Sequence, residues 1–141
     1  MPKTGKDGHA LKGELPSTLQ RSAQKAQDTF AKTYDSALET YDNDEERAAR
    51  AAYASLKHSF EKVGDHWEPK EKRGPSDKRA EEGIRSTEPT AGGVDANASK
   101  KHLYELATEL GIRGRSRMDK EELVTALQKA NDAATRKARN R

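Results

Sequence analysis

The chain has 141 residues, of which 31% are hydrophobic and 36% charged, with a mean hydropathy of −1.17; small helical modules joined by polar segments fit those values, and one large core does not. Cysteine is absent, which excludes a disulfide framework, thiol catalysis and Cys-based zinc sites. The net charge of +3 is unevenly spread: residues 98–141 hold 11 Lys/Arg against 6 Asp/Glu and the remainder 16 against 18, so two modules with different partners are expected.

Residues 1–13 contain three glycines and no hydrophobic periodicity; they read as a disordered tail. Leu15-Pro16-Ser17 opens a helical region in which Leu19, Ala23, Ala26, Phe30, Tyr34, Ala37, Leu38 and Tyr41 recur at three- and four-residue steps. Ser22 or Asp28 is a candidate break within it. Asn43 is the expected N-cap of the next helix, with Glu46 as its reciprocal partner. Asp42, Asp44 and Glu46 superficially fit a calcium loop, but Arg47 stands where that loop needs glycine. The helix is expected to run to about Val63 with Ala48, Ala49, Ala52, Tyr53, Leu56, Phe60 and Val63 on one broad apolar face, to end at Gly64, and to be followed by a Trp67 folded back onto the bundle. Residues 69–98 hold three of the five prolines and four glycines; they read as a flexible linker with an end-to-end distance of about 30 Å.

The last segment has a clearer pattern. Leu103, Leu106, Ala107 and Leu110 follow i, i+3, i+4, i+7 spacing, and Gly111 suits a left-handed C-terminal cap. Asp119 and Glu122 form a capping box, with Met118 and Leu123 as its staple. Leu123, Val124 and Leu127 make the second apolar face. Between the helices lie Arg113, Arg115 and Arg117, with Lys120 beside them. Arginine forks match phosphate oxygens, and a helix N-terminus adds N–H donors. These four residues, together with Arg136 and Lys137 of the basic tail 135–141, are the candidate nucleic-acid-binding set, sequence-independent in character because Tyr104 is the one aromatic beside them. His58 and His66 with Asp65 lack a clear third ligand, so no metal is expected. No cofactor is expected either.

Two resemblances organise these observations. Leu15-Pro16, Ala23-Gln24, Phe30, Tyr34-Asp35-Ser36-Ala37, Tyr41, Glu45-Glu46, Ala51-Ala52-Tyr53-Ala54, Leu56-Lys57-His58, Lys62 and Trp67 resemble the ChaB family, small proteins named as regulators of cation transport. Leu38 and Thr29 stand where a larger ring is expected in that family. The resemblance implies association with cation/proton antiport through a protein contact. Glu105-Leu106-Ala107, Leu110-Gly111-Ile112, Arg115-Ser116-Arg117-Met118, Lys120-Glu121-Glu122-Leu123 and Leu127 resemble the N-terminal domain of transcription termination factor Rho and its SAP-like relatives. That resemblance implies a nucleic-acid-facing module. A P-loop pattern is missing, so it implies no helicase.

The sequence thus predicts an all-α protein, with β content limited to a short pairing near a terminus of the first domain. The expected organisation is a tail (1–13), a ChaB-like helical domain (14–68), a linker (69–98), a helix–turn–helix Rho-N/SAP-like unit (99–134) and a basic tail (135–141). The expected function is non-enzymatic: a nucleic-acid-associated accessory or regulatory protein, RNA or DNA being held by phosphate contacts and an unidentified protein partner by the ChaB-like domain. A regulator of a cation/proton antiporter is the alternative, and a structural or stress-associated DNA-coating protein a further one. No apolar run approaches a membrane span and no secretory h-region appears, so a cytoplasmic protein, not integral to the membrane, is expected.

Overall fold

The computed structural model describes residues 2–75 and 92–139. Leu15 is extended (φ −97°, ψ 155°), as a residue before proline is driven to be. Helix α1 (Ser17–Gln20) follows Pro16 and buries Thr18 and Leu19. The break falls at Ser22, and Asp28 lies inside the next helix, α2 (Gln24–Thr40). Ser22 uses its hydroxyl twice, donating to the Thr18 carbonyl (2.8 Å) and accepting the Trp67 N–H (2.8 Å). Gln27, almost buried, donates to the Leu19 and Ser22 carbonyls (2.9 and 3.1 Å), so the carbonyls left over at the end of α1 find partners.

Helices α2 and α3 (Glu45–Ser59) form a helical hairpin. Phe30, Ala31, Tyr34 and Leu38 of the first meet Ala48, Ala52 and Leu56 of the second in one buried cluster. The alanines on α3 allow close approach, and Phe30 and Leu56 each contribute roughly 2–3 kcal/mol by burial. The aromatic residues are mostly core: Phe30, Tyr34, Phe60 and Trp67 are buried and Tyr53 half-buried, with the Phe30 and Tyr53 rings edge-to-face at 4.9 Å.

The N-cap of α3 is Asp44, one residue later than expected: its carboxylate accepts the Arg47 N–H (3.2 Å). Asn43 is spent closing α2 instead. Its N–H reaches the Leu38 carbonyl (2.8 Å), and Asp42 and Asn43 both take positive φ (50° and 64°), a Schellman-type ending that leaves position 43 unable to cap. Asp44→Ala is expected to lower stability by about 1 kcal/mol, and Asp44→Ser by a few tenths. Urea titrations of the two variants check this, and equal midpoints would remove the cap from the account.

Helix α3 stops at Ser59, short of the expected Val63. Strand β1 (Phe60–Val63) pairs antiparallel with β2 (His66–Pro69), Val63 opposite His66 and Phe60 opposite Pro69. Gly64 is not a helix stop but part of a two-residue hairpin loop, at φ 67°, where a tight turn demands glycine. The spacing of Phe60 and Val63 fits a helix, but the period-2 alternation of a strand sends them to opposite faces. Phe60 joins the first core and Val63 the second. The protein is therefore mainly helical with a two-stranded sheet at the C-terminal end of the first unit.

The second unit consists of α4 (Lys100–Glu109), a 3₁₀ turn (Arg115–Arg117) and α5 (Lys120–Arg139). Its core is Leu103, Leu106, Ala107, Leu123 and Leu127, with Val94, Ala98 and the hairpin's Val63. Asn131 of α5, 1% exposed, ties this unit to the hairpin. Its Oδ1 accepts the Gly64 N–H (2.7 Å) and its Nδ2 donates to the Lys62 carbonyl (2.9 Å). Trp67 is fixed on the other side, its indole N–H reaching Thr18 Oγ1 (3.2 Å).

Two segments expected to be free are anchored. Residues 3–11 form a tight turn (Thr4 bridged to Ala10) held to α2 by Asp28 and Asp35. Local composition gives no hint of anchors so distant in sequence. The stretch read as a linker is packed at both ends: Val94 and Asp95 are buried, the Gly93 carbonyl accepts the Lys62 N–H (2.8 Å), and Glu71 accepts both the N–H and the hydroxyl of Ser99 (3.1 Å each). The middle of that stretch, 76–91, lies outside the described residues, as do 140–141 of the basic tail.

Candidate functional site

The arginine turn is built by two helix ends. Gly111 (φ 71°) closes α4: its N–H bonds the Thr108 carbonyl (3.1 Å) and the Ile112 N–H the Ala107 carbonyl (2.9 Å), the two bonds of a Schellman motif. Gly114 (φ 75°) then starts the 3₁₀ turn. At the other end Asp119 Oδ1 accepts the Glu122 N–H (2.9 Å) while Glu122 Oε1 accepts the Asp119 N–H (3.2 Å). This is the capping box read from the sequence.

That scaffold sorts the basic residues. Arg113, Arg117 and Lys120 are exposed at the tip formed by the turn between α4 and α5. Arg115 is half-buried and committed to the fold. Its guanidinium lies 5.7 Å from the Tyr104 ring centroid and donates from Nη1 to the Ile112 carbonyl (2.9 Å). The N-terminus of α5, expected to offer N–H donors to phosphate, is partly occupied by its own Asp119 and Glu122. Arg136 and Lys137 are exposed but lie 16 and 17 residues beyond Lys120, about 25 Å along the helix axis. They do not extend the tip into a single patch.

A second constellation was not legible as a site. Glu61 of β1 is 1% exposed. Its Oε2 bonds His102 Nε2 of α4 (2.7 Å), and its Oε1 is buried without a hydrogen-bond partner among the described residues. Burial pushes the Glu61 carboxyl above its ordinary range, with His102 pulling the other way. Burial lowers His102, but the hydrogen bond and charge of Glu61, with Glu71 and Glu105 behind them, outweigh it and leave the imidazole raised. Beside the pair, Asp95 is 2% exposed and raised by burial, against the pull of the Lys70 ammonium 3.8 Å away. Lys70 also donates to the carbonyls of Lys57 and Gly74 (2.8 and 2.6 Å). These charges sit at the seam between the hairpin and the second unit.

His66 is bracketed by Asp65 (3.2 Å) and Glu68 (2.7 Å), and Arg21 reaches Asp65 (3.3 Å). Burial lowers His66, yet its two carboxylate hydrogen bonds raise it overall. His58 is exposed. Among the described residues no group of three or more His, Asp or Glu is placed to hold a metal ion.

The first unit is thus a helical hairpin closed by a β-hairpin, its core running from Leu15 to Trp67. This is a ChaB domain: residues 15–70 match the ChaB family, a span that includes α1 to α3, both strands and the buried Lys70. No curated protein and no solved structure matches the chain. Among the described residues no helix is long and apolar enough to cross a membrane.

Proposed function

We propose that this protein is a non-enzymatic accessory factor whose second unit binds the phosphate backbone of a nucleic acid and whose ChaB domain engages a protein partner. The observation that carries the reading is the tip: Arg113, Arg117 and Lys120 are exposed together between two well-capped helix ends, so the charges are presented on fixed backbone. The resemblance read from the sequence of residues 105–127 to the Rho N-terminal domain points the same way. Arg115 acts by holding the turn against Tyr104. Phosphate is met by side chains, since the capping box already uses N–H groups at the start of α5. Contacts of this type favour no sequence. The acidic Asp119, Glu121 and Glu122 beside the tip keep its affinity modest.

The test is fluorescence anisotropy with labelled single-stranded RNA, single-stranded DNA and duplex DNA at low salt. The full chain is compared with the Arg113→Ala/Arg117→Ala/Lys120→Ala variant. Binding at least about tenfold weaker in the variant is expected, three charge-assisted contacts being lost. Unchanged binding would move the interface elsewhere.

A second reading rests on the family match over residues 15–70. Here the ChaB domain regulates a cation/proton antiporter by direct contact, and the basic tip meets anionic lipid or an acidic surface of that partner. Co-purification with a membrane transporter, together with indifference to nucleic acid, would favour it.

A further inference from the structure

We infer that the face of α2 now covered by the N-terminal arm is a groove for a lysine-bearing turn of a partner protein, and that the arm occupies it as an internal stand-in. The inference rests on reading the ChaB domain as a protein-binding unit and is independent of the arginine tip.

The arm is attached mainly through its backbone. Asp35 accepts the N–H groups of Lys3 (2.7 Å) and Thr4 (2.9 Å), and Asp28, two turns earlier on α2, accepts the N–H of Ala10 (2.8 Å). His9 adds a side-chain bond to Asp28 (2.8 Å). Contacts to N–H groups read the backbone of the turn, closed by the Thr4–Ala10 bridge, and not its side chains. Specificity comes from Lys3, whose Nζ stands 4.5 Å from the centroid of the Tyr34 ring and donates to the Glu14 carbonyl (2.7 Å). An ammonium over a tyrosine face is a favourable pairing. Asp35 of α2 and Glu45 of α3 both act electrostatically on Tyr34, and their negative charge complements a cation over its ring.

Two further features separate a stand-in from a structural strap. Between Pro2 and Glu14 no residue is fully buried, and Leu11 is 44% exposed. An arm held by a few hydrogen bonds and little apolar burial opens at low cost. Next to Lys3 the groove widens into an open pocket of about 390 Å³, lined by Phe30, Tyr34, Tyr53 and Glu45 and bounded on the arm's side by Lys3, Gly13 and Glu14. Lys3 leaves that space empty. A partner's lysine followed by an apolar residue would use both.

The experiment measures binding of a labelled peptide with lysine and glycine at the places of Lys3, Gly5 and Gly8, and alanine elsewhere. It is titrated into the full chain and into Thr4→Pro/Ala10→Pro, which deletes two of the donated N–H groups and leaves α2 intact. A second variant, Lys3→Ala, keeps every backbone bond and empties the Tyr34 face. The tethered arm competes at millimolar effective concentration, so the double variant is expected to bind the peptide at least about tenfold more tightly than the full chain, and Lys3→Ala to move the same way by less. A peptide with alanine in place of its lysine should lose that gain. Equal affinity of the full chain and both variants would overturn the inference. So would indifference to the peptide's lysine, or arm exchange between two copies revealed by light scattering as a dimer. Loss of peptide binding would leave the nucleic-acid reading standing, and its anisotropy test would be unaffected.

Discussion

Gly93→Ala is expected to destabilise the protein by about 3 kcal/mol or more. Gly93 has φ 92°, a region that L side chains rarely adopt. A Cβ placed there would lie 2.8 Å from Trp67 Cη2 and 2.9 Å from Lys62 Cβ. Neither neighbour has room to yield. Trp67 is pinned by Thr18 and Ser22, and Lys62 sits in β1 with its N–H on the Gly93 carbonyl. Backbone strain and overpacking each cost about 1–3 kcal/mol. Gly92 supplies the control: its φ is 63°, but an added Cβ would meet Gln128 at 3.7 Å, ordinary contact. Gly92→Ala should therefore cost only about 1–2 kcal/mol, the price of a left-handed alanine. Urea unfolding followed by Trp67 fluorescence compares the two, and equal losses would contradict the close approach of residues 92–95 to the hairpin.

The second large effect is on pH dependence. Glu61, Asp95 and His102 all carry folded pKa values above their ordinary ones. A group raised on folding stabilises below its unfolded pKa, and that stability is lost as pH rises through the folded value. All three groups therefore act with the same sign: folding takes up protons, and stability falls as pH rises. The histidine's share is complete below about pH 6.5 and disappears above that, with a slope of up to about 1.4 kcal/mol per pH unit for one proton. Asp28, Asp65 and Glu71 are lowered and act oppositely, but their window lies in acid. Unfolding free energy is thus expected to be higher at pH 6 than at pH 8.5. Glu61→Gln keeps the shape and removes the buried charge, so it should reduce the slope above pH 6.5, leaving the share of His66, which is also raised. A profile that rises across that range, or an unchanged slope in Glu61→Gln, would sink this account of the seam.

Much of the molecule was legible because local signals carried it. The Asp119–Glu122 capping box, the Gly111 cap, the apolar stripes of α2, α3, α4 and α5, and the return of Trp67 to the first core follow from spacing of a few residues. The misreadings arose where a local pattern had two solutions. Phe60 and Val63 fit a helix stripe, but Gly64-Asp65 makes a tight turn and pairing with His66–Pro69 wins. Asn43 is a good cap in isolation, but Asp42-Asn43 is needed to end α2. What remained hidden depends on contacts between distant residues. Nothing near Glu61 announces His102, and nothing in residues 3–11 announces Asp28 and Asp35. Asn131 left one trace: it follows Leu123 and Leu127 at four-residue steps, a polar residue at a core position of α5, where a buried partner has to be found. The basic tip was recognisable as a cluster, yet its division into exposed Arg113, Arg117 and Lys120 and a structural Arg115 required the position of Tyr104.

The proposed function rests on phosphate contact at that tip, and its salt dependence is the most direct measurement. The dissociation constant for single-stranded RNA would be determined from 25 to 200 mM salt for the full chain and for Arg113→Ala/Arg117→Ala/Lys120→Ala. Each contacted phosphate contributes about −0.7 to the log–log slope on a single strand. Two to three contacts predict a slope of about −1.4 to −2.1 for the full chain, and a slope near zero for the variant. Binding independent of salt, or the same slope in both proteins, would contradict the assignment of the tip to phosphate.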